Sequence, residues 1–223
     1  KYKNWELIFW DNNSKDKSAK IFKSFKDKRL RYFFKKKKVS LYASRNLALK
    51  KTKGEFIAFL DVDDLWHPNK LSLQVKKFKD LKVGLVYGKF LKINNLSLFR
   101  RKQLITKDKL PEGYITENLL KFYPVGLLTI MLRKKFLKGP KVFKTKYNYL
   151  GDLDFVLRFS LRYKFAAVQK IVGIYRQHEN QMQKKFYEEK AKQFSRWYKK
   201  IIEENVFGKK ENLKMFAEWE DRK

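Results

Sequence analysis

The chain has 223 residues, 43% hydrophobic and 17% aromatic, which supplies a packed core and argues against disorder. It has no cysteine, so disulfides and thiolate metal sites are excluded, and no apolar run approaches the ~20 residues needed to span a bilayer. Its 55 Lys+Arg against 23 Asp+Glu leave a formal charge of +32, yet lysine is spread along the whole chain, so a general lysine bias stands beside attraction to an acidic membrane or to nucleic acid.

Residues 5–10 read as a buried strand that delivers Asp11-Asn12-Asn13-Ser14 to a loop, with Asp16 placed to cap a helix running to about Phe25. Residues 30–34 form a second short strand, 35–38 a charged connector, and 44–50 a helix carrying Arg45 and Asn46, so the rhythm is βαβ. The apolar run from Gly54 to Leu60 is long enough for one buried strand and ends in three carboxylates, Asp61, Asp63 and Asp64. In an α/β sheet, ligands sit beyond the carboxyl ends of parallel strands, where Asp61 and Asp63 are placed to share a divalent cation with a phosphorylated ligand. The alternative is a plain acidic turn. Pro68 suits the first turn of a helix reaching about Lys79, with Leu71, Leu73, Val75 and Phe78 available for packing, and residues 83–88 read as another buried strand.

Ala43-Ser44-Arg45-Asn46, Gly54-Glu55, Asp61-Val62-Asp63-Asp64 and Leu65-Trp66-His67-Pro68-Asn69-Lys70-Leu71 stand in this order. Together they resemble the family 2 glycosyltransferases of the GT-A fold, with their A-R-N, G-E-strand-D-x-D-D and W-x-P-x-K-L signatures. The resemblance implies an α/β protein: a Rossmann-like three-layer α/β/α sandwich with a mostly parallel central sheet, ending here in a C-terminal amphipathic helical extension. It further implies inverting transfer from a nucleotide-sugar donor, assisted by Mn²⁺ or Mg²⁺ held at Asp61 and Asp63. Asp11 matches the family's base-binding loop; Asn12 replaces its second acid, although an amide offers donors and an acceptor to a uracil-like edge. An Asx-rich turn is the alternative there. Arg45 is expected on the diphosphate, against a solvated surface arginine, and Asn46 is expected to brace the acidic loop. Trp66 and Pro68 are read as structural. Family members begin with a further strand and helix, so a fragment lacking that unit is expected.

Residues 89–109 read as a variable connection, 115–122 as a helix and 124–133 as a loop feeding a strand, where the family builds the acceptor side of its cleft. Residues 149–159 open a helix with acid in its first turn, where the helix dipole tolerates negative charge. They resemble the family's E-D-x-D segment, which makes Asp152 the general base, puts Gly151 where glutamate or threonine is usual, and leaves Asp154 to brace the helix start. Both acids as ordinary helix-opening residues is the alternative. Residues 165–175 read as a strand, and Tyr175-Arg176-Gln177-His178 resembles the family's closing Y-R-x-H. His178 is expected to touch the metal or the diphosphate, against a histidine that only orders the cleft, and His67 is read as a loop residue.

In the tail, Tyr187, Ala191, Phe194, Tyr198 and Ile201 lie at helical spacing, with Trp197 and Ile202 widening the stripe. This basic amphipathic helix either packs on the domain or docks at an acidic membrane interface; a last short helix is expected beyond Gly208. The expected organisation is a transferase domain over 1–180, with a nucleotide half at 1–88 and an acceptor half at 89–180, followed by the tail at 181–223. The expected activity is transfer from a UDP-sugar to a glycan or lipid-linked acceptor, in the cytoplasm or peripherally on the inner face of the membrane, with no specific nucleic acid. A catalytically inactive sugar-nucleotide-binding module and a basic nucleic-acid-binding protein are the rival classes.

Overall fold

The computed structural model describes residues 2–94, 102–139, 141–178 and 187–207, apart from the side chains of Asn94 and Tyr187. Strand β1 (Leu7–Asp11) pairs in parallel with β2 (Leu30–Phe34), Leu7 opposite Leu30 and Asp11 opposite Phe34, and α1 (Ser18–Ser24) crosses between them. Helix α2 (Leu41–Leu49) begins earlier than the apolar pattern suggests, because the Ser40 hydroxyl accepts from the Ala43 amide and caps the first turn.

The main sheet has six strands. Its spine is β5 (Val83–Asn94) alongside β8 (Lys164–Gln177), parallel from Val83 opposite Lys164 to Asn94 opposite Gln177. Strands β3 (Phe56–Ala58), β4 (Leu65–Trp66), β6 (Lys102–Leu104) and β7 (Met131–Arg133) join antiparallel, giving the order β3-β7-β5-β8-β4 with β6 on β5. The parallel pairings are therefore β1/β2 and the long β5/β8 ladder, and the short strands close the sheet around that ladder.

Alternation along the spine sorts side chains onto two covered faces. Val86, Met131, Ala166 and Val168 meet Phe78 and α3 (Lys70–Lys77) on one face. Leu85, Tyr87, Leu132, Phe165 and Ala167 meet α2, α4 (Thr116–Lys121) and α5 (Gly151–Ser160) on the other. That is the three-layer arrangement. The C-terminal helix α6 (Tyr187–Glu203) joins the second face through Phe194, Trp197 and Ile201, all buried, so the described part of the tail packs on the domain. The expected last helix lies outside the described residues.

Several signature residues hold this frame. Glu55 pairs with the buried Arg133 at 2.9 Å, and Arg133 also donates to the carbonyls of Phe78 and Val83. Lys70 is fully buried; it donates to Gln74 Oε1 at 2.5 Å and lies over the Trp66 ring, while Gln74 donates to the Thr129 and Val86 carbonyls. The Trp66 indole donates to the Leu128 carbonyl at 2.9 Å. These polar groups satisfy backbone acceptors between α3 and the sheet that would otherwise be buried unpaired. Among the described residues no helix is long and apolar enough to cross a membrane.

Candidate active site

The acidic turn follows β3 directly, with the Asp64 amide donating to the Asp61 carbonyl. The chain then enters β4, which pairs Leu65 with Ile174 and Trp66 with Gly173, so the turn is fastened to the carboxyl end of β8. This pairing brings Asp63 to His178 across 115 positions of sequence, with Nε2 and Oδ2 3.0 Å apart. The Arg176 guanidinium donates to the Asp63 carbonyl, and the Arg176 amide donates to Asp64 Oδ1 at 3.1 Å. Asp64 is buried; burial, with Asp63 and Asp61 close by, pushes its carboxyl up to about 7 in spite of that amide.

Helix α2 supplies the next two contacts from positions three apart, which share a helix face. Arg45 Nη2 donates to both oxygens of Asp61, at 2.8 and 2.9 Å, with the guanidinium buried and the Asp61 carboxylate half exposed. The Tyr42 hydroxyl donates to Asp152 Oδ1 at 2.9 Å. Burial and the Asp152 charge hold that phenol far above its ordinary range, so it stays a donor. Asn46 was expected to brace the acidic loop. Instead its buried amide exchanges hydrogen bonds with the Phe143 backbone at 2.8 and 3.0 Å, which ties α2 to the segment ahead of α5.

The two acids that open α5 differ sharply. Asp154 is 1% exposed; its Oδ2 accepts from Arg158 and its Oδ1 from Trp197 and Lys144. Asp152 is partly exposed, and its Oδ1 accepts from Tyr42 and from the Leu153 amide at 3.0 Å. Among the described residues no hydrogen bond reaches its Oδ2.

At the β1 end, Asp11 is 2% exposed and accepts from the Tyr32 hydroxyl at 2.5 Å and the Ser14 amide at 2.8 Å. Burial alone would raise its carboxyl, but those donors bring it below its ordinary value. Asn12 exchanges hydrogen bonds with the Val39 backbone at 2.8 and 3.1 Å. Its amide thereby ties the β1 loop to the connector before α2. His67 sits between β4 and α3 and accepts from the Asn69 amide. Sequence reasoning missed Tyr42, whose single signal was its place three residues before Arg45, and it quoted Lys70 only as part of a signature.

No preformed cluster of three or more His, Asp or Glu side chains suited to a metal occurs among the described residues. The donor set at the turn still fits a hard divalent ion in part. The Asp63 carboxylate and the His178 imidazole meet directly, and such ions commonly complete their shell with water and substrate phosphate.

The fold, a mixed α/β sheet covered by helices on both faces, is that of the GT-A glycosyltransferases. In the solved structure of S. aureus TarS 1-349 in complex with UDP, the fold is shared at a TM-score of 0.64 and 21% identity, covering 82% of this chain and 53% of that one. The mannosyltransferase PcManGT from Pyrobaculum calidifontis, in complex with GDP-Man and Mn²⁺, shares it at 0.54 and 18% identity, covering 76% and 47%. The sequence matches Glycosyl transferase family 2 over residues 1–139, and the chain belongs to that family. It is also similar to the UDP-Glc:alpha-D-GlcNAc-diphosphoundecaprenol beta-1,3-glucosyltransferase WfgD of Escherichia coli, 34% identical over 149 residues that cover 66% of this chain and 56% of WfgD. The chain therefore spans about half the length of these relatives.

Proposed function

We propose that this chain carries out inverting transfer of a sugar from a UDP-sugar to a hydroxyl of a lipid-linked glycan acceptor. The observation that carries this reading is Arg45, which is bonded to Asp61 and stands one helical turn from Tyr42, itself bonded to Asp152. A cation for the donor phosphates and a carboxylate for the acceptor proton are thus held by one helix. WfgD supplies the donor and acceptor classes by its printed name.

In this reading the β1 loop, held in shape by Asp11 and Asn12, lies against the nucleotide base, and Arg45 contacts the diphosphate as the sugar leaves. Asp63 and His178, with Asp61, would hold Mn²⁺ or Mg²⁺, and the ion would supply charge neutralisation to the diphosphate. Asp152 takes the acceptor proton at its Oδ2 while the hydroxyl attacks the anomeric carbon from the face opposite the diphosphate, general-base catalysis within hydrogen-bond reach. A single displacement inverts the anomeric centre. The spread of basic residues, +32 in net charge, supports a seat on an acidic membrane where a lipid-linked acceptor resides.

The test uses the full-length protein, UDP-glucose and a synthetic GlcNAc-diphosphoryl lipid. UDP with Mn²⁺ should raise the melting temperature more than either alone, as a ligand pair sharing one native site must, and labelled glucose should pass to the lipid. A protein that binds UDP yet transfers nothing to an acceptor panel is instead a sugar-nucleotide-binding module. Salt-resistant, sequence-selective nucleic-acid binding would overturn the reading altogether.

A further inference from the structure

We propose that Tyr42 is a positioning residue for Asp152, and that Gly151 exists to let it act. This inference rests on the transferase reading above. Three observations carry it. The phenol hydroxyl reaches Asp152 Oδ1 at 2.9 Å while the ring is 2% exposed and packs at a tilt against Phe143, their centres 5.7 Å apart, so its position is fixed by packing. A Cβ placed on Gly151 would stand 2.7 Å from three carbons of that ring, closer than atoms approach without moving, so only glycine lets the ring lie flat on the first turn of α5. The Leu153 amide donates to the same Oδ1.

The consequence is a division of labour within one carboxylate. Oδ1 is occupied by two donors that fix the plane of the group, and Oδ2 is left to receive the acceptor proton. Tyr42 also shares a face of α2 with Arg45, whose guanidinium lies 5.4 Å from the Tyr42 ring centre and pairs with Asp61. The base is therefore held at a set displacement from the donor-side acid by a single turn of helix. The departure of this chain from the family's usual glutamate or threonine at position 151 becomes the space that the Tyr42 ring fills.

Among the described residues, the charged and titratable groups that face Asp152 are Tyr42 and Arg45 from α2, Tyr123 from the segment after α4, and Lys190 from α6. Tyr42 is the one among them with a hydrogen bond to the carboxylate. Removing its hydroxyl leaves Oδ1 with the Leu153 amide alone, so the plane of the carboxylate is no longer fixed from two sides.

The test is kinetics of the full-length protein with UDP-glucose and the GlcNAc-diphosphoryl lipid. Tyr42→Phe keeps the ring and deletes the hydroxyl; kcat should fall about ten- to a hundredfold, the loss expected for one hydrogen bond to a charged group. UDP affinity with Mn²⁺ and the KM for the lipid should be unchanged, so that the whole loss falls on kcat. Gly151→Ala, which displaces the ring, should give the same split of kcat from KM with the hydroxyl still present. In an Asp152→Asn background Tyr42→Phe should have no further effect, because the two act through one group. An additive loss there, or a Tyr42→Phe protein with parental kcat while Asp152→Asn is inactive, overturns the positioning role alone. Parental turnover by Asp152→Asn overturns the base assignment beneath it and the positioning role with it.

Discussion

The acidic turn after β3 and the acidic start of α5 solve the same problem in opposite ways. Each places carboxylates within a few residues of one another, and in each a buried acid anchors the backbone so that a neighbour faces outward. At α5 the buried acid, Asp154, is surrounded by Arg158, Lys144 and the Trp197 indole, a saturated set that leaves Asp152 as the exposed member. At the turn the buried acid, Asp64, receives an amide from Arg176 and lies beside two further carboxylates, Asp61 and Asp63, met by Arg45 and His178. The helix start is charge-balanced by the protein. The turn carries more acid than its partners offset, the usual condition of a place where a cation and phosphates meet.

The largest expected effect separates the two acids of α5. Asp152→Asn should lower kcat by about 10²–10⁴-fold while UDP binding survives, because it removes proton acceptance and keeps size. Asp154→Asn should do the converse, costing about 3–5 kcal/mol in urea denaturation by leaving Arg158 and Lys144 beside a neutral group, with turnover of the folded fraction retained. Equal kinetic losses from both would dissolve the contrast between base and anchor.

At the turn, Asp63→Asn should weaken Mn²⁺-dependent UDP binding by about 10–100-fold in calorimetry, on the scale of losses when a metal's supporting ligands are changed. UDP binding without metal should change little. Metal-independent loss would mark Asp63 as a loop anchor of the Asp154 kind.

The smallest effect concerns what lies beneath the turn. Burial lowers the Lys70 ammonium to about 7. A depressed folded-state value means the fold prefers the neutral amine, so this contribution to stability is complete above the ordinary lysine range and is lost as pH falls through about 7. Between about pH 9 and pH 6 the parent should therefore lose stability by up to roughly 1.4 kcal/mol per pH unit more than Lys70→Met. Parallel pH curves for the two proteins would show that Lys70 does not titrate in this window.

Much of the frame was legible because local pattern and fold agreed. β2 falls where its apolar run lies, and α5 and β8 start within two residues of where the pattern puts them. The extent of β5 was not, because residues 89–94 carry no strong period and become strand through pairing with β8 and β6. The Asp63 and His178 encounter came from family resemblance and not from spacing, since the β4/β8 pairing that creates it spans two residues. Tyr42 was illegible in principle: an aromatic on a short helix reads as core, and it is core, with one polar atom aimed at Asp152. Gly151 carried half of that signal as a departure from the usual residue, without the ring that explains it.

The 115 residues between Asp63 and His178 also set a clock. At the usual rates of synthesis, about 5–20 residues per second, roughly 6 to 23 s pass between the appearance of the acidic turn and the arrival of the strand that secures it. Over that interval β5 and β4 wait for β8, and the contacts of Asp63 and Asp64 with Arg176 and His178 are still to come, while Arg45 is already there for Asp61. The half-made chain meets the cell with an open sheet edge and an acidic turn of which only Asp61 has its partner, so completion of the turn is paced by the arrival of β8.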